Sequence, residues 1–148
     1  MDSEQLKQML SSVVPFSRHL GLEILDIRPG RASVRLPEEP YLLNHVGTQH
    51  AAALYAVAEA ASGGAVVGAF ADRVGSVTPL ARDAQIKYLK PARGPILTEA
   101  SIDGEIASIS ETLDQTGGVA FPVRVELKDG GATKVAEMTV GWHLRKDD

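Results

Sequence analysis

The chain has 148 residues, the length of one domain, and its 44% hydrophobic content is enough for a buried core. A net charge of −4 argues against nucleic-acid binding, which depends on basic residues that contact phosphates. No cysteine is present, which excludes disulfides, a thiol nucleophile and thiolate metal sites. The start, Met1-Asp2-Ser3-Glu4, lacks the basic and apolar character of a secretory signal. We therefore expect a cytoplasmic protein with a single domain over residues 1–148.

The N-terminal part of the sequence predicts a short helix followed by a β-hairpin. Ser3 is a candidate N-cap, apolar residues follow at helical spacing, and Pro15 is expected to end the helix. Residues 21–27 are predicted to form a strand, Pro29-Gly30 a turn, and residues 31–36 the second strand. In that second strand apolar and polar side chains alternate, which is typical of a strand with one buried face.

The segment 48–70 is long, rich in alanine and almost uncharged, which predicts a helix buried on all sides. Its length would also allow it to span a bilayer. However, it carries His50 and Glu59 and is followed by amphipathic strands. We therefore interpret it as the core helix of the domain and expect no membrane partner.

The second half of the chain predicts four more strands. They are expected at residues 77–89, 95–102, 123–128 and 133–144. A polar stretch, 104–118, separates the second from the third and is long enough for a short helix at 108–114. A sheet with one apolar face has to pack against an apolar element, and the central helix is the only large one. The sequence therefore predicts an α+β fold, an antiparallel sheet wrapped around a long central helix.

Glu59 is the only charged residue between positions 51 and 70. The residues three and four positions away are small or aromatic: Tyr55, Ala56, Ser62 and Gly63. A carboxylate in a cleft with such a lining has a raised pKa and open space beside it, which suits a general base or a nucleophile. Two other interpretations stay open: a glutamate at the one hydrated point of the helix, or one paired with an arginine across an interface.

The segment Asn44 to His50 leads into the helix, whose first turn leaves backbone N–H groups without partners. The N–H of Ala51 or of its neighbour could stabilise a developing oxyanion. Asn44 and either His45 or His50 could orient a water molecule or a thioester. Ordinary roles are also open: Asn44 in a turn, Thr48 as the N-cap, and His50 hydrogen-bonded to the loop.

Ala51 and Glu59 are eight positions apart, which is about 12 Å along a helix. One carbonyl group cannot contact both within one chain. If both take part in a reaction, they must come from different subunits, so the hypothesis requires a symmetric homodimer with two composite sites. The histidines and Glu59 lack the i, i+3 or i, i+4 spacing of metal ligands on one helix face, and we predict no metal site.

The order of elements resembles the hotdog fold, and residues 44–64 resemble the active-site loop and helix of its acyl-CoA thioesterases. The similarity is greatest to the phenylacetic-acid-pathway and 4-hydroxybenzoyl-CoA thioesterase groups and to a less characterised branch of their relatives. In these families a histidine and two glycines open the central helix, and an Asp or Glu lies eight positions past the first glycine. Here the sequence is His50-Ala51-Ala52, followed by Glu59 at that distance. The alanines keep the backbone N–H groups, while their methyl groups narrow the approach.

The resemblance implies hydrolysis of a small or medium acyl-CoA with no cofactor other than the coenzyme A of the substrate. It implies that Glu59 is the catalytic carboxylate and that Ala51 is the backbone oxyanion donor. Asn44 matches a loop asparagine that positions water or substrate, and His50 is expected to help orient the reactants. The homodimer is expected to act alone or as a dimer of dimers.

Residues 86–94 are similar to the third-strand motif of the family, at the mouth of its pantetheine tunnel. We expect Lys87, Lys90 and Arg93 in or near this segment to bind the phosphates of coenzyme A. The competing interpretation is a hydrated sheet edge that lysines protect from aggregation.

Two other function classes fit the same residues. One is a non-catalytic acyl-CoA-binding protein that has kept the tunnel and lost turnover. The other is a hotdog hydratase or dehydratase, in which His50 or His45 would pair with Glu59 across the dimer.

Overall fold

The computed structural model describes all 148 residues as one six-stranded antiparallel sheet that curves around a long helix. The helices are α1 (Ser3–Val13), α2 (Pro15–Leu20), α3 (Ala51–Ala69) and α4 (Ile106–Thr116). The strands are β1 (Glu23–Arg28), β2 (Arg31–Leu36), β3 (Val77–Tyr88), β4 (Ile96–Ile102), β5 (Gly118–Lys128) and β6 (Lys134–Lys146). Their order in the sheet is β1-β2-β4-β5-β6-β3. The predicted α+β architecture is confirmed.

The core lies between the concave face of the sheet and α3. Alternate residues of β5 and β6 point inward, as the sequence pattern predicts: Val123, Val125, Leu127, Ala136, Met138, Val140, Trp142 and Leu144 are all buried. They join residues of α3, β2 and β4 in one continuous apolar cluster. The period-two pattern of the strands therefore determines which face of the sheet contacts the helix.

α1 starts one residue earlier than predicted, because its N-cap is Asp2 and not Ser3. The Asp2 carboxylate accepts a hydrogen bond from Gln5 N–H, and the Gln5 side chain accepts one from Asp2 N–H, both at 2.9 Å. Ser3 instead donates a hydrogen bond to the carbonyl of Ile27, at 2.9 Å, and so joins α1 to β1. Pro15 ends α1 but also begins α2, since a proline at the first helical position needs no hydrogen-bond partner.

α3 begins at Ala51, later than the predicted position 48, and it is not buried on all sides. Ala51, Ala52 and Tyr55 are exposed, and Glu59 and Gly63 continue the same stripe as half-buried residues. The sheet covers only one side of the helix, which explains the open stripe. α3 has the length and apolar composition of a membrane span, but most of it is buried inside the fold.

The polar stretch 104–118 forms a longer helix than predicted, α4, which packs Ile109 and Leu113 into the core. Arg73 fixes this helix by hydrogen bonds to Ser110, at 3.2 Å, and to Asp114, at 2.6 Å. The insertion therefore covers one end of the sheet, which gives it a structural role.

β5 starts at Gly118, five residues before the predicted strand, because Pro122 interrupts the sequence pattern without interrupting the strand. The carbonyl of Pro122 accepts a hydrogen bond from Asp103 N–H, so its nitrogen points to the same side, past the end of β4. The last β4–β5 pair is Ile102 with Val123, so the proline, which has no N–H to donate, stands where this ladder ends.

Candidate functional site

Glu59 lines a cavity of about 230 Å³ between α3 and the two N-terminal helices. Most of the other lining residues are apolar, among them Leu10, Val14, Leu22, Ile24, Val67 and Trp142. Glu59 forms no ion pair, and burial raises the pKa of its carboxyl group above the ordinary value. No ion pair within the chain holds Glu59, so the two other interpretations, a hydrated position on the helix and an arginine across an interface, stay open. The predicted cleft is present.

Two buried side chains that the sequence analysis missed hold the helix turn at Glu59. Ser62 donates a hydrogen bond from Oγ to the carbonyl of Glu59, at 2.7 Å, and the Trp142 Nε1–H donates to Ser62 Oγ, at 2.9 Å. A buried indole N–H needs an acceptor, so the single tryptophan of the chain could have indicated a buried hydrogen bond of this kind. The contact joins residues 80 positions apart, so its partner could not be read from local spacing.

A second cavity, of about 330 Å³, lies at the start of α3 and includes Asn44, Ala51 and Lys90 in its lining. The N–H of Ala51 makes no hydrogen bond within the chain. Tyr88 donates a hydrogen bond from its hydroxyl to the carbonyl of Ala51, at 3.0 Å, and so attaches the end of β3 to the first turn of α3. This cavity therefore presents an unbonded N–H group at the positive end of the helix dipole.

His50 is the N-cap of α3, the role for which the sequence analysis considered Thr48. Its Nδ1 accepts a hydrogen bond from Ala52 N–H, at 2.9 Å, so the proton of the neutral ring is on Nε2. Of the two adjacent N–H groups considered for an oxyanion, only that of Ala51 is therefore free. His45 is exposed and lines neither cavity.

Asn44 organises the loop that precedes α3. Its Oδ1 accepts hydrogen bonds from the N–H groups of Val46 and Thr48, both at 3.0 Å, and its Nδ2 donates to Thr48 Oγ1, at 2.8 Å. The buried side chain of Gln49 supports the same loop, since its Nε2 donates to the carbonyls of Pro37 and Gly94. Asn44 thus has the turn role that the sequence also allowed, and its contact with a substrate stays a prediction.

The three predicted phosphate-binding cations are not on one surface. Lys90 lines the second cavity, and Arg93 is exposed without an ion-pair partner. Lys87 lies in a polar depression on the outer face of the sheet, where it is in register with Glu137 of β6. Because side chains alternate along a strand, Lys87 is on the opposite face of β3 from Ile86 and Tyr88.

The two cavities lie at different turns of α3. Glu59 and Ala51 are separated by two turns of α3, as the residue spacing predicts. Between them runs the open stripe of the helix, on which Glu59 is the only charged residue. Because the separation along the helix is about 12 Å, one carbonyl group cannot contact both the Glu59 carboxylate and the Ala51 N–H of the same chain.

Comparison with known proteins gives the family. The family described as "Domain of unknown function (DUF4442)" matches residues 2–144. The chain belongs to the DUF4442 family. Among solved structures, the DUF4442 chain is similar to PA5026 from Pseudomonas aeruginosa, which is described as a protein of unknown function and a probable thioesterase. The two are 25% identical, with a TM-score of 0.86 over 97% of this chain and 95% of that one.

Two further structures share the fold. A thioesterase family protein from Silicibacter pomeroyi is 18% identical, with a TM-score of 0.79 over 97% of this chain and 98% of that one. The Escherichia coli PaaI protein of the phenylacetic acid degradation operon is 16% identical, with a TM-score of 0.76 over 98% and 93%. No curated protein sequence matches the DUF4442 chain. The architecture is the hotdog fold of the thioesterase superfamily, which confirms the resemblance seen in the sequence.

The raised pKa of Glu59 has a consequence for stability. The folded chain binds the Glu59 proton more tightly than the unfolded chain does. The stabilisation that the bound proton gives is therefore fully present below the ordinary carboxyl pKa, and it is lost as the pH rises through the raised pKa of Glu59. Glu59→Gln should therefore unfold at a higher urea concentration than the wild type at pH 7, and the gain should disappear below about pH 4. Urea unfolding at matched protein concentration measures this. The exposed Glu99, changed to Gln, is the control, and an equal gain in that variant would contradict the explanation.

Proposed function

We propose that this protein is an acyl-CoA thioesterase whose two active sites are each shared between two copies of the chain. The observation that carries the proposal is Glu59, a carboxylate without an ion-pair partner in an apolar cavity, on the same helix as the unbonded N–H of Ala51. A carboxylate of this kind is suited to take a proton or to attack a carbonyl. A free N–H at a helix start is suited to stabilise an oxyanion.

A two-fold homodimer would complete the site. Two α3 helices that pass each other in opposite directions would bring Ala51 of one chain near Glu59 of the other. The exposed, apolar stripe of α3 and the open edge of β3 both support this arrangement. On β3 the exposed residues include Leu80 and Tyr88, and the strand has a neighbour on only one side. A further pairing of dimers into tetramers is compatible with the same surfaces.

The reaction would need no group beyond water and the substrate. The thioester carbonyl accepts a hydrogen bond from Ala51 N–H while Glu59 of the other chain removes a proton from a water molecule. The water oxygen adds to the carbonyl carbon, the negative charge on the carbonyl oxygen is stabilised by the N–H, and the C–S bond then breaks. The thiolate of coenzyme A takes the proton and the acid leaves. Direct attack by Glu59, followed by hydrolysis of the anhydride, gives the same products.

Lys90 is placed to contact the coenzyme A part of the substrate, because it lines the cavity at Ala51. Arg93 is three residues further along the chain, is exposed and forms no ion pair. Lys87, on the outer face of β3, is less suited to this role than the sequence suggested. His50 would act by fixing the first turn of α3, through its bond to Ala52, so that the Ala51 N–H keeps its direction.

Glu59→Gln should lower kcat for acyl-CoA hydrolysis about 10²- to 10⁴-fold, because the amide can neither accept the proton nor attack. Release of free thiol from a panel of acyl-CoA substrates measures this, with the exposed Glu99→Gln as the matched control. Wild-type rates in Glu59→Gln would contradict the proposal. An inactive wild type that binds acyl-CoA would indicate the non-catalytic binding protein. Hydration of crotonyl-CoA without thiol release would indicate the hydratase.

Replacing Lys90 and Arg93 by alanine together should raise KM for acyl-CoA by about tenfold and change kcat little, since both charges would bind substrate and transition state alike. Lys87→Ala is the matched control, because its side chain lies on the other face of β3. Steady-state kinetics at low salt measure the effect. If KM rises in the control and not in the double variant, the phosphate contact is on the outer face of the sheet.

A further inference from the structure

Gly63 stands one helical turn after Glu59, in the lining of the same cavity. A glycine inside a helix costs about 1 kcal/mol relative to alanine, so its presence needs a reason. Close packing explains two other glycines of α3. A methyl group on Gly64 would lie 2.9 Å from the side chain of Ala32, and one on Gly68 would collide with the backbone carbonyl of Arg28.

Close packing does not explain the glycine at position 63. A methyl group added there would lie 3.4 and 3.5 Å from two ring carbons of Trp142, which is ordinary van der Waals contact. No backbone lies within 4 Å of that position apart from the helix itself, and Gly63 has no left-handed φ angle. The helix could therefore hold an alanine here at no steric cost. The missing side chain leaves a gap about one methyl group wide between the helix and the indole ring, in the wall of the cavity that holds Glu59.

We propose that Gly63 determines the acyl specificity of the enzyme, by leaving room for an aliphatic acyl chain to pass from Glu59 along the ring of Trp142. The inference rests on the proposed function, since it concerns the substrate of that same site. Beyond Gly63 the cavity continues along Val67 of α3 and Leu10 of α1. Most of the cavity wall is apolar, with Ser11, Ser17 and Arg18 as its other polar side chains, so the preferred substrate is a medium-length aliphatic acyl-CoA, with its carbonyl at Glu59.

The methyl group of Gly63→Ala would project from the cavity wall beside Trp142 and narrow the space next to Glu59. One methylene of misfit in an apolar pocket changes kcat/KM about 10- to 200-fold. The ratio of kcat/KM for octanoyl-CoA to that for acetyl-CoA should therefore fall at least about tenfold in Gly63→Ala, and further in Gly63→Val. The melting temperature of Gly63→Ala should rise, because alanine favours the helix and the position has room. A merely structural glycine would give the opposite change in stability.

Gly68→Ala is the matched control, since it adds the same methyl group to the same helix outside the cavity. It should lose stability through the contact with Arg28 and keep the wild-type ratio between the two substrates. An unchanged ratio in Gly63→Ala, or a Gly63→Ala protein that does not fold, would overturn the inference.

Trp142 allows a second measurement that does not depend on hydrolysis. It is the only tryptophan of the chain and faces the cavity, so its fluorescence should change when an acyl chain enters. Octanoyl-CoA added to Glu59→Gln should give a saturable change in fluorescence that acetyl-CoA does not give, and Gly63→Ala in the same background should weaken the binding at least about tenfold.

If the wild type releases no thiol but this pattern holds, the proposed function fails and the inference on Gly63 stands. If the wild type hydrolyses acyl-CoA and octanoyl-CoA leaves the fluorescence unchanged, the inference fails and the proposed function stands.

Discussion

The structure depends on the burial of one carboxylate in a mostly apolar cavity, where Arg18 is the only cation in the lining and forms no ion pair with it. Removing an ionised carboxylate from water is costly, and proteins compensate most buried acids with an arginine, a lysine or several hydrogen bonds. No arginine or lysine forms an ion pair with Glu59, and burial raises the pKa of its carboxyl group. The rest of α3 is free of charge, and Ser62 with Trp142 fixes the backbone at this turn. The fold thus keeps a carboxyl group with a raised pKa at a fixed place and bears the cost in stability.

The start of α3 supplies the complementary group. Four side chains hold the first turn of α3 and the loop before it. His50 caps the turn, Tyr88 donates a hydrogen bond to the carbonyl of Ala51, and Asn44 and Gln49 shape the preceding loop. All of these contacts leave the Ala51 N–H without a partner. Because helix geometry separates this N–H from Glu59 by about 12 Å, the proposed reaction would require a second chain. The apolar stripe of α3 and the unpaired edge of β3 are where that chain would pack.

Periodicity was sufficient to predict the fold, and the isolation of Glu59 was sufficient to predict a cleft. The inward residues of β6 follow from strict alternation, and Glu59 follows from the absence of any other charge on its helix. The alternation rule, applied to Ile86 and Lys87, would also have placed Lys87 on the outer face of the sheet. The bond from Trp142 to Ser62 could not be predicted, since it depends on how distant strands and α3 pack. The cavity walls supplied by α1 are non-local in the same way.

The central claim, that each site combines Glu59 of one chain with Ala51 of the other, is tested most directly by mixed dimers. Ala51→Pro removes the N–H at the first position of α3, where proline fits the helix, and His50 before it already has the extended backbone that proline requires. Glu59→Gln and Ala51→Pro should each be nearly inactive alone. After unfolding and refolding together, mixed dimers should contain one intact site and restore about a quarter of the wild-type thiol release. Mixed dimers that form, as measured by native mass spectrometry, and stay inactive would contradict the account.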